Sequence, residues 1–216
     1  MNAPLPVFLT AYDPAELPGG TLDPLGFTAG YLSLADLLFP GMTAAAGQAT
    51  YFPMLCAGLS IAETEGSLRG LSAAAARKRR IDIALRFERL WALACALQLD
   101  TTQASEGPAI EQDRSKVTGL RGISYVEREV QRLKQQGASQ ASTQFALLAQ
   151  QYRYGGFGIY GGVAEQLGLL EKSTFATTPE FGDRIGDGFL DTTSDNAQRK
   201  ALVRAALDEK VTTSVS

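Results

Sequence analysis

"QYRYGGFGIYGGVAEQLGLLEK", residues 151–172, carries five glycines within eight positions and a formal G-x-G-x-x-G match at Gly156, Gly158 and Gly161. A dinucleotide-binding turn of that form needs a buried strand before the first glycine and an acidic residue about 20 positions on, at the end of a second strand. The preceding segment, "STQFALLAQQYRY", spaces Phe145, Leu148 and Ala149 as a helix does and does not resemble a β-branched strand. The stretch about 20 positions after Gly161, "PEFGDRIGDGF", has no strand in front of it. The glycines are therefore read as serving chain geometry at a corner between helices, not nucleotide capture.

The residues around that corner give a frame. "YVEREVQRLKQQ" (125–136) makes a first helix with Val126, Val130 and Leu133 inward, and "STQFALLAQQYR" (142–153) a second. "IYGGVAEQLGLL" (159–170) makes a third, followed by the short extended stretch "TFATT" and a helix begun by "TPEFGDRIGDGFLD". With Thr178, Gly182, Ile185 and Phe189 in the pattern positions, this cadence resembles the second half of bacterial winged-helix domains. The resemblance implies a winged-helix domain over 120–193, with a wing too short to penetrate a groove. The third helix holds Glu165 and no Lys or Arg, whereas base-reading helices are set among cations. Contact with another protein, or nonspecific contact with DNA, is thus the expectation for this element.

Upstream, the expected class is mainly α: a helical N-terminal region over 1–99, a linker over 100–119, then the winged helix, then a C-terminal helix and tail over 194–216. Five of the nine prolines lie in residues 1–26, which read as an extended arm. Tyr31, Leu34, Leu37 and Leu38 share a helical face that Pro40-Gly41 terminates, and Thr43 suits the cap of a short Ala-rich helix. Pro53 starts another helix, with Leu55, Leu59 and Ala62 inward. Ser72 caps a long helix whose Ile83, Phe87, Leu90, Ala94 and Leu97 form an apolar stripe widened by Trp91. "DTTQASEGPAIEQDRSKVTG" (100–119) is polar and aperiodic, hence the linker. The abrupt end after "AALDEKVTTSVS" leaves open whether the chain is part of a longer protein.

Composition narrows function. Apolar residues at 45% and charged residues at 20% are those of an ordinary globular chain. There is no histidine, which removes the commonest general base, metal ligand and nucleophile partner. "GLSIA" (58–62) cannot be a hydrolase elbow without one, and its context is helical. Asp183, Asp187 and Asp191 stack at i,i+4 spacing and read as a solvated face. Cys56 and Cys95, each in apolar surroundings, read as buried reduced thiols, and cytoplasmic is the default compartment. No charge falls between Asp36 and Glu63, but the prolines, glycines and polar residues within that gap exclude a spanning helix. The chain is read as non-enzymatic, with no catalytic, cofactor or metal residues and no small-molecule substrate.

Charge is uneven. Residues 1–68 have no Lys or Arg, while residues 69–99 carry seven cations against Asp82 and Glu88. Arg77, Lys78, Arg79 and Arg80 open the charged side of the long helix, and Arg79, Asp82, Arg86 and Arg89 recur along one stripe. The cluster is either a solvated helix face or a contact for phosphates or an acidic partner. Arg153, Tyr154, Tyr160 and Gln166 are the corresponding contact candidates on the winged-helix half.

The stretch "LDPLGFTAGYLSLADLLFPGMTAAAGQATYFPML" (22–55) has an apolar helix closing in "LADLLFPG", a Thr shortly after, and an aromatic pair, Tyr51-Phe52, about eight residues on. It resembles small accessory proteins encoded in bacterial anti-phage defence operons, including SMC-type Lamassu-like and three-component systems. Gln48, Ala49 and Thr50 stand where such proteins often have arginines, which weakens a nucleic-acid role for this half. The resemblance implies a docking subunit for a large SMC-like ATPase or effector nuclease, with DNA as a further contact. The alternative is a winged-helix DNA-binding regulator using Arg153, Tyr154, Tyr160 and Gln166.

Overall fold

The structure is a computed structural model and describes residues 30, 34, 37, 48–63, 67–106, 121–138, 140–193, 196–208 and 213–214. Met1–Thr43 and Ala44–Ser216 form separate units. In the first, Gly30, Leu34 and Leu37 are helical, and Leu34 and Leu37 are exposed and not turned inward as the stripe predicts. The proline-rich arm and the helix expected after Thr43 lie outside the described residues.

The second unit is mainly helical: α1 (Tyr51–Glu63), α2 (Ala73–Glu106), α3 (Ile123–Gln135), α4 (Gln151–Tyr154), α5 (Gly156–Gln166), α6 (Gly182–Thr193) and α7 (Asn196–Leu207). Two dipeptides, β1 (Gln140–Ala141) and β2 (Thr213–Ser214), pair antiparallel with Gln140 opposite Ser214. Helix α1 is apolar almost all round and ten of its residues are buried, as befits a central helix. Ser72 caps α2 as expected, its Oγ accepting the Ala75 N–H at 3.3 Å.

Helix α2 serves two cores. Ile81, Ile83, Ala84, Phe87 and Leu90 pack with α1, α5 and Ala205–Ala206 of α7. One turn on, Ala92, Leu93 and Ala96 meet Ile123, Val126, Val130 and Leu133 of α3 together with Leu147. Because the inward arc shifts between the two cores, Ala94, placed on the single expected stripe, is exposed. Trp91 borders both clusters. The helix also continues to Glu106, seven residues into the expected linker. The first core joins residues from both sides of residues 100–119, so that stretch does not divide it.

The winged-helix expectation is not supported. The first helix (α3) and the third (α5) form, but the second does not: between β1 and α4, residues 142–150 are bends and turns. Tertiary bonds take the backbone groups a helix would use. Arg89 Nη1 donates to the Thr143 carbonyl at 2.8 Å, and Ser142 Oγ accepts the Gln144 N–H at 3.3 Å, a local competitor of helical bonding. Leu147 is driven fully into the second core. The expected wing reduces to one bridge, Leu170 with Thr177, across a turn in which Ser173 (φ 75°) and Phe175 (φ 56°) take left-handed conformations. Strand β1 pairs with the C-terminal dipeptide instead of this hairpin.

The turn hands the chain to α6 through Thr178, whose Oγ1 accepts the Gly182 N–H at 3.1 Å and donates to the Gly168 carbonyl at 2.7 Å. Helix α6 crosses α1 at backbone distance, since a Cβ on Gly186 would lie 2.9 Å from the Ala57 nitrogen. Gly186→Ala must push the two helices apart. We expect it to lower unfolding free energy by ~1–3 kcal/mol, the usual cost of overpacking, as measured by urea denaturation. A variant as stable as the parent would contradict this crossing.

Candidate functional site

Glu88, on α2, is 2% exposed and organises the glycine corner. Its Oε1 accepts the Gly156 N–H at 2.6 Å, and its Oε2 accepts from Gln151 Nε2 at 2.8 Å. Gln151 Nε2 also donates to the Leu85 carbonyl, and Gln151 Oε1 accepts from Arg89 Nε at 2.7 Å. The first residue of α4 is thereby clamped to α2 through every polar atom of its side chain. Burial raises the Glu88 pKa, opposed by the bonds from Gln151 and Gly156 and by the charges of Arg89 and Arg121.

This geometry answers the glycine question. Helix α4, not a strand, leads into Gly155, and the first amide of α5, which a phosphate loop would turn to its ligand, is occupied by the protein's own carboxylate. A Cβ on Gly155 would stand 2.8 Å from Glu88 Oε2, and one on Gly156 2.7 Å from the Tyr51 ring. Gly161 and Gly162 face no such restriction, so the formal motif mixes required glycines with incidental ones. Below the corner, Tyr51 stacks on Tyr160 at 4.7 Å, and Phe52 meets Tyr160 edge-on at 5.3 Å. The Tyr51 hydroxyl accepts the Arg121 N–H at 2.8 Å, and that of Tyr160 the Gln48 N–H at 3.0 Å. The aromatic pair singled out in the sequence is thus core architecture.

The expected contact residues divide sharply. Tyr160 is buried and cannot meet a partner. Arg86 is buried, and it and Arg79 both donate to the Leu207 carbonyl, at 3.2 and 2.6 Å. Two guanidiniums thus sit on the C-terminal end of α7, the negative end of its dipole. Arg80 pairs with Glu63 at 2.6 Å and reaches the Thr174 carbonyl. Charge reversal across residues 77–80 would therefore disturb the fold as well as the surface. Arg77, Lys78, Arg153, Tyr154 and Gln166 are exposed.

One of the exposed positions, Arg77, ends an aromatic chain that sequence reading missed. The Arg77 guanidinium lies 4.5 Å from the Phe175 ring centre, and Phe175 meets Phe157 edge-on at 4.9 Å. Phe157 in turn lies under Tyr152 at 5.5 Å, and the neighbouring Arg153 guanidinium stands 5.5 Å from the Tyr154 ring. The signal available in the sequence was the Tyr-Arg-Tyr alternation beside the glycines. The left-handed Phe175 that bridges to Arg77 had no local signature. A second exposed group is apolar: Phe181, just before α6, and Ile185, in its first turn, with Leu167 exposed beyond the end of α5.

The remaining constellations are structural. Ser60 Oγ donates to the Ala57 carbonyl within α1. Asp183 accepts from Thr177, and Arg199 bonds both Asp187 and Asp191. Among the described residues no His/Cys/Asp/Glu group could hold a metal ion, and no helix is long and apolar enough to cross a membrane. Burial pushes the Cys56 thiol up to about 12 and raises that of Cys95 as well, although Cys95 is only half-buried. Compared with protein-family models, curated proteins and solved structures, the chain matches none.

Glu88 gives the fold a pH dependence of defined sign. Its folded value lies above the ordinary 4.5, so the folded state favours the protonated acid. The stability it contributes is fully present below the unfolded value and is lost as pH rises through the folded one. Glu88→Gln removes this titration. The unfolding free energy of the parent minus that of the variant should fall as pH rises above the ordinary carboxylate range, read from urea melts. A difference that grows with pH would show that the donors outweigh burial.

Proposed function

We propose that this chain is a non-catalytic docking subunit of a bacterial anti-phage defence complex, held on a large ATPase or nuclease through the outward side of α6. The observation that carries the docking half is the Phe181 ring, 52% exposed at the residue just before α6, a helix that meets α1 at backbone distance through Gly186. Ile185 continues the apolar surface one turn on, and the exposed Glu180, Arg184 and Asp187 surround it with charge. An aromatic anchor on a rigid element, rimmed by polar groups, is the anatomy of a protein–protein hot spot. A partner surface offering an apolar pocket would take the ring. The defence context rests on the resemblance of residues 22–55 to accessory subunits of such operons.

The regulator reading has less behind it. It needs a helix-turn-helix, whereas residues 142–150 are not helical, and its contact Tyr160 lies in the core.

The test is co-expression of the tagged full chain with its native operon neighbours. The parent should retain an operon-encoded ATPase or nuclease through purification. Phe181→Asp combined with Ile185→Asp should release it while leaving the circular dichroism spectrum unchanged. Retention by the double variant would remove this surface from the reading, and a parent that retains neither protein would remove the reading itself.

A further inference from the structure

We infer that the exposed surface around α4, with Tyr152, Arg153 and Tyr154, binds single-stranded nucleic acid by base stacking, at a surface separate from the docking side of α6. Tyr152 is 53% exposed and Tyr154 50%, so each phenol ring offers area to a flat partner. Between them Arg153 is exposed, its guanidinium 5.5 Å from the Tyr154 ring. The Tyr152 ring is backed by Phe157, and through Phe157 and Phe175 the surface connects to the guanidinium of Arg77, beside the exposed Lys78. Each exposed ring thus has a cation nearby, Tyr152 through Phe157 and Phe175 to Arg77 and Tyr154 through Arg153, and rings for bases beside cations for phosphates are the chemistry of sequence-tolerant single-strand binders. An acidic peptide would supply the charge without the rings.

The platform is held rigid by the residue that precedes it. Gln151, one residue earlier, is buried and bonded to Glu88, Leu85 and Arg89, so the next three side chains project from a fixed base. Stacking on a held ring costs less conformational entropy than on a mobile loop. This chain of contacts also gives the left-handed Phe175 a use: its ring, held between Phe157 and Arg77, ties the basic start of α2 to the tyrosines.

The test uses the full chain alone, so its outcome is independent of whether any operon partner docks. Fluorescence anisotropy would be followed with a labelled oligothymidylate, an oligouridylate of equal length and a matched duplex, each over a salt series. The expected result is tighter binding of the single strands than of the duplex, weakening as salt rises. The DNA and RNA arms identify which strand is preferred. Tyr152→Ala with Tyr154→Ala should weaken single-strand binding at least tenfold, whereas Tyr152→Phe with Tyr154→Phe should retain it. Arg153→Gln should flatten the salt dependence by about one counterion. Absence of single-strand binding would overturn the inference. So would equal binding of duplex and single strand, insensitivity to the alanine pair, or displacement of the oligonucleotide by polyglutamate as effective as by unlabelled oligonucleotide.

Discussion

A single buried carboxylate holds the middle of this protein together. Glu88 reaches from the long helix to the first amide of α5 and to the side chain of Gln151, and Arg89 closes the circuit on the other side. The donors arranged around it offset part of the cost of burying a charge, and burial still raises its pKa. Those donors are usable only because Gly155 and Gly156 let the backbone come within reach, where any side chain would collide with Glu88, Gln151 or Tyr51. The glycine-rich stretch and the buried acid, 68 residues apart, are two halves of one device.

This device also decides what the surface can do. Because α4 is fixed at its first residue, the tyrosines and arginine that follow are presented outward, while the remaining aromatic residues of the corner, Phe157 and Tyr160, turn in to pack. The basic run at 77–80 is spent in the same manner. Arg79, with Arg86, stabilises the end of α7, and Arg80 ties α1 to the turn before α6, leaving Arg77 and Lys78 on the outside. A cluster that looks like a contact patch in one dimension is largely an internal fastening in three.

What was legible in the sequence follows from this. Features fixed by local spacing could be read: the Ser72 cap, the inward positions Val126, Val130 and Leu133, and the start of α6 after Thr178. The segment 142–150 could not. Its helical composition is overruled by Arg89, 54 residues away, and by the pull of Leu147 into the second core. Glu88 looked like one acid offsetting a basic block. Its position one turn after Ala84 and three residues before Trp91, within the apolar arc of α2, was the clue that it faced inward. Tyr160 was misread because an aromatic residue beside glycines can be a contact or a plug, and only the stacking on Tyr51 distinguishes them.

Helix α2 borders both hydrophobic clusters along one uninterrupted rod from Ala73 to Glu106. Neither cluster can lose its order without exposing a side of this shared spine, and fraying the spine would strip apolar partners from the other. The two cores are thus coupled into one cooperative folding unit, and amide protons along the central turns of α2 belong among the last to exchange with solvent.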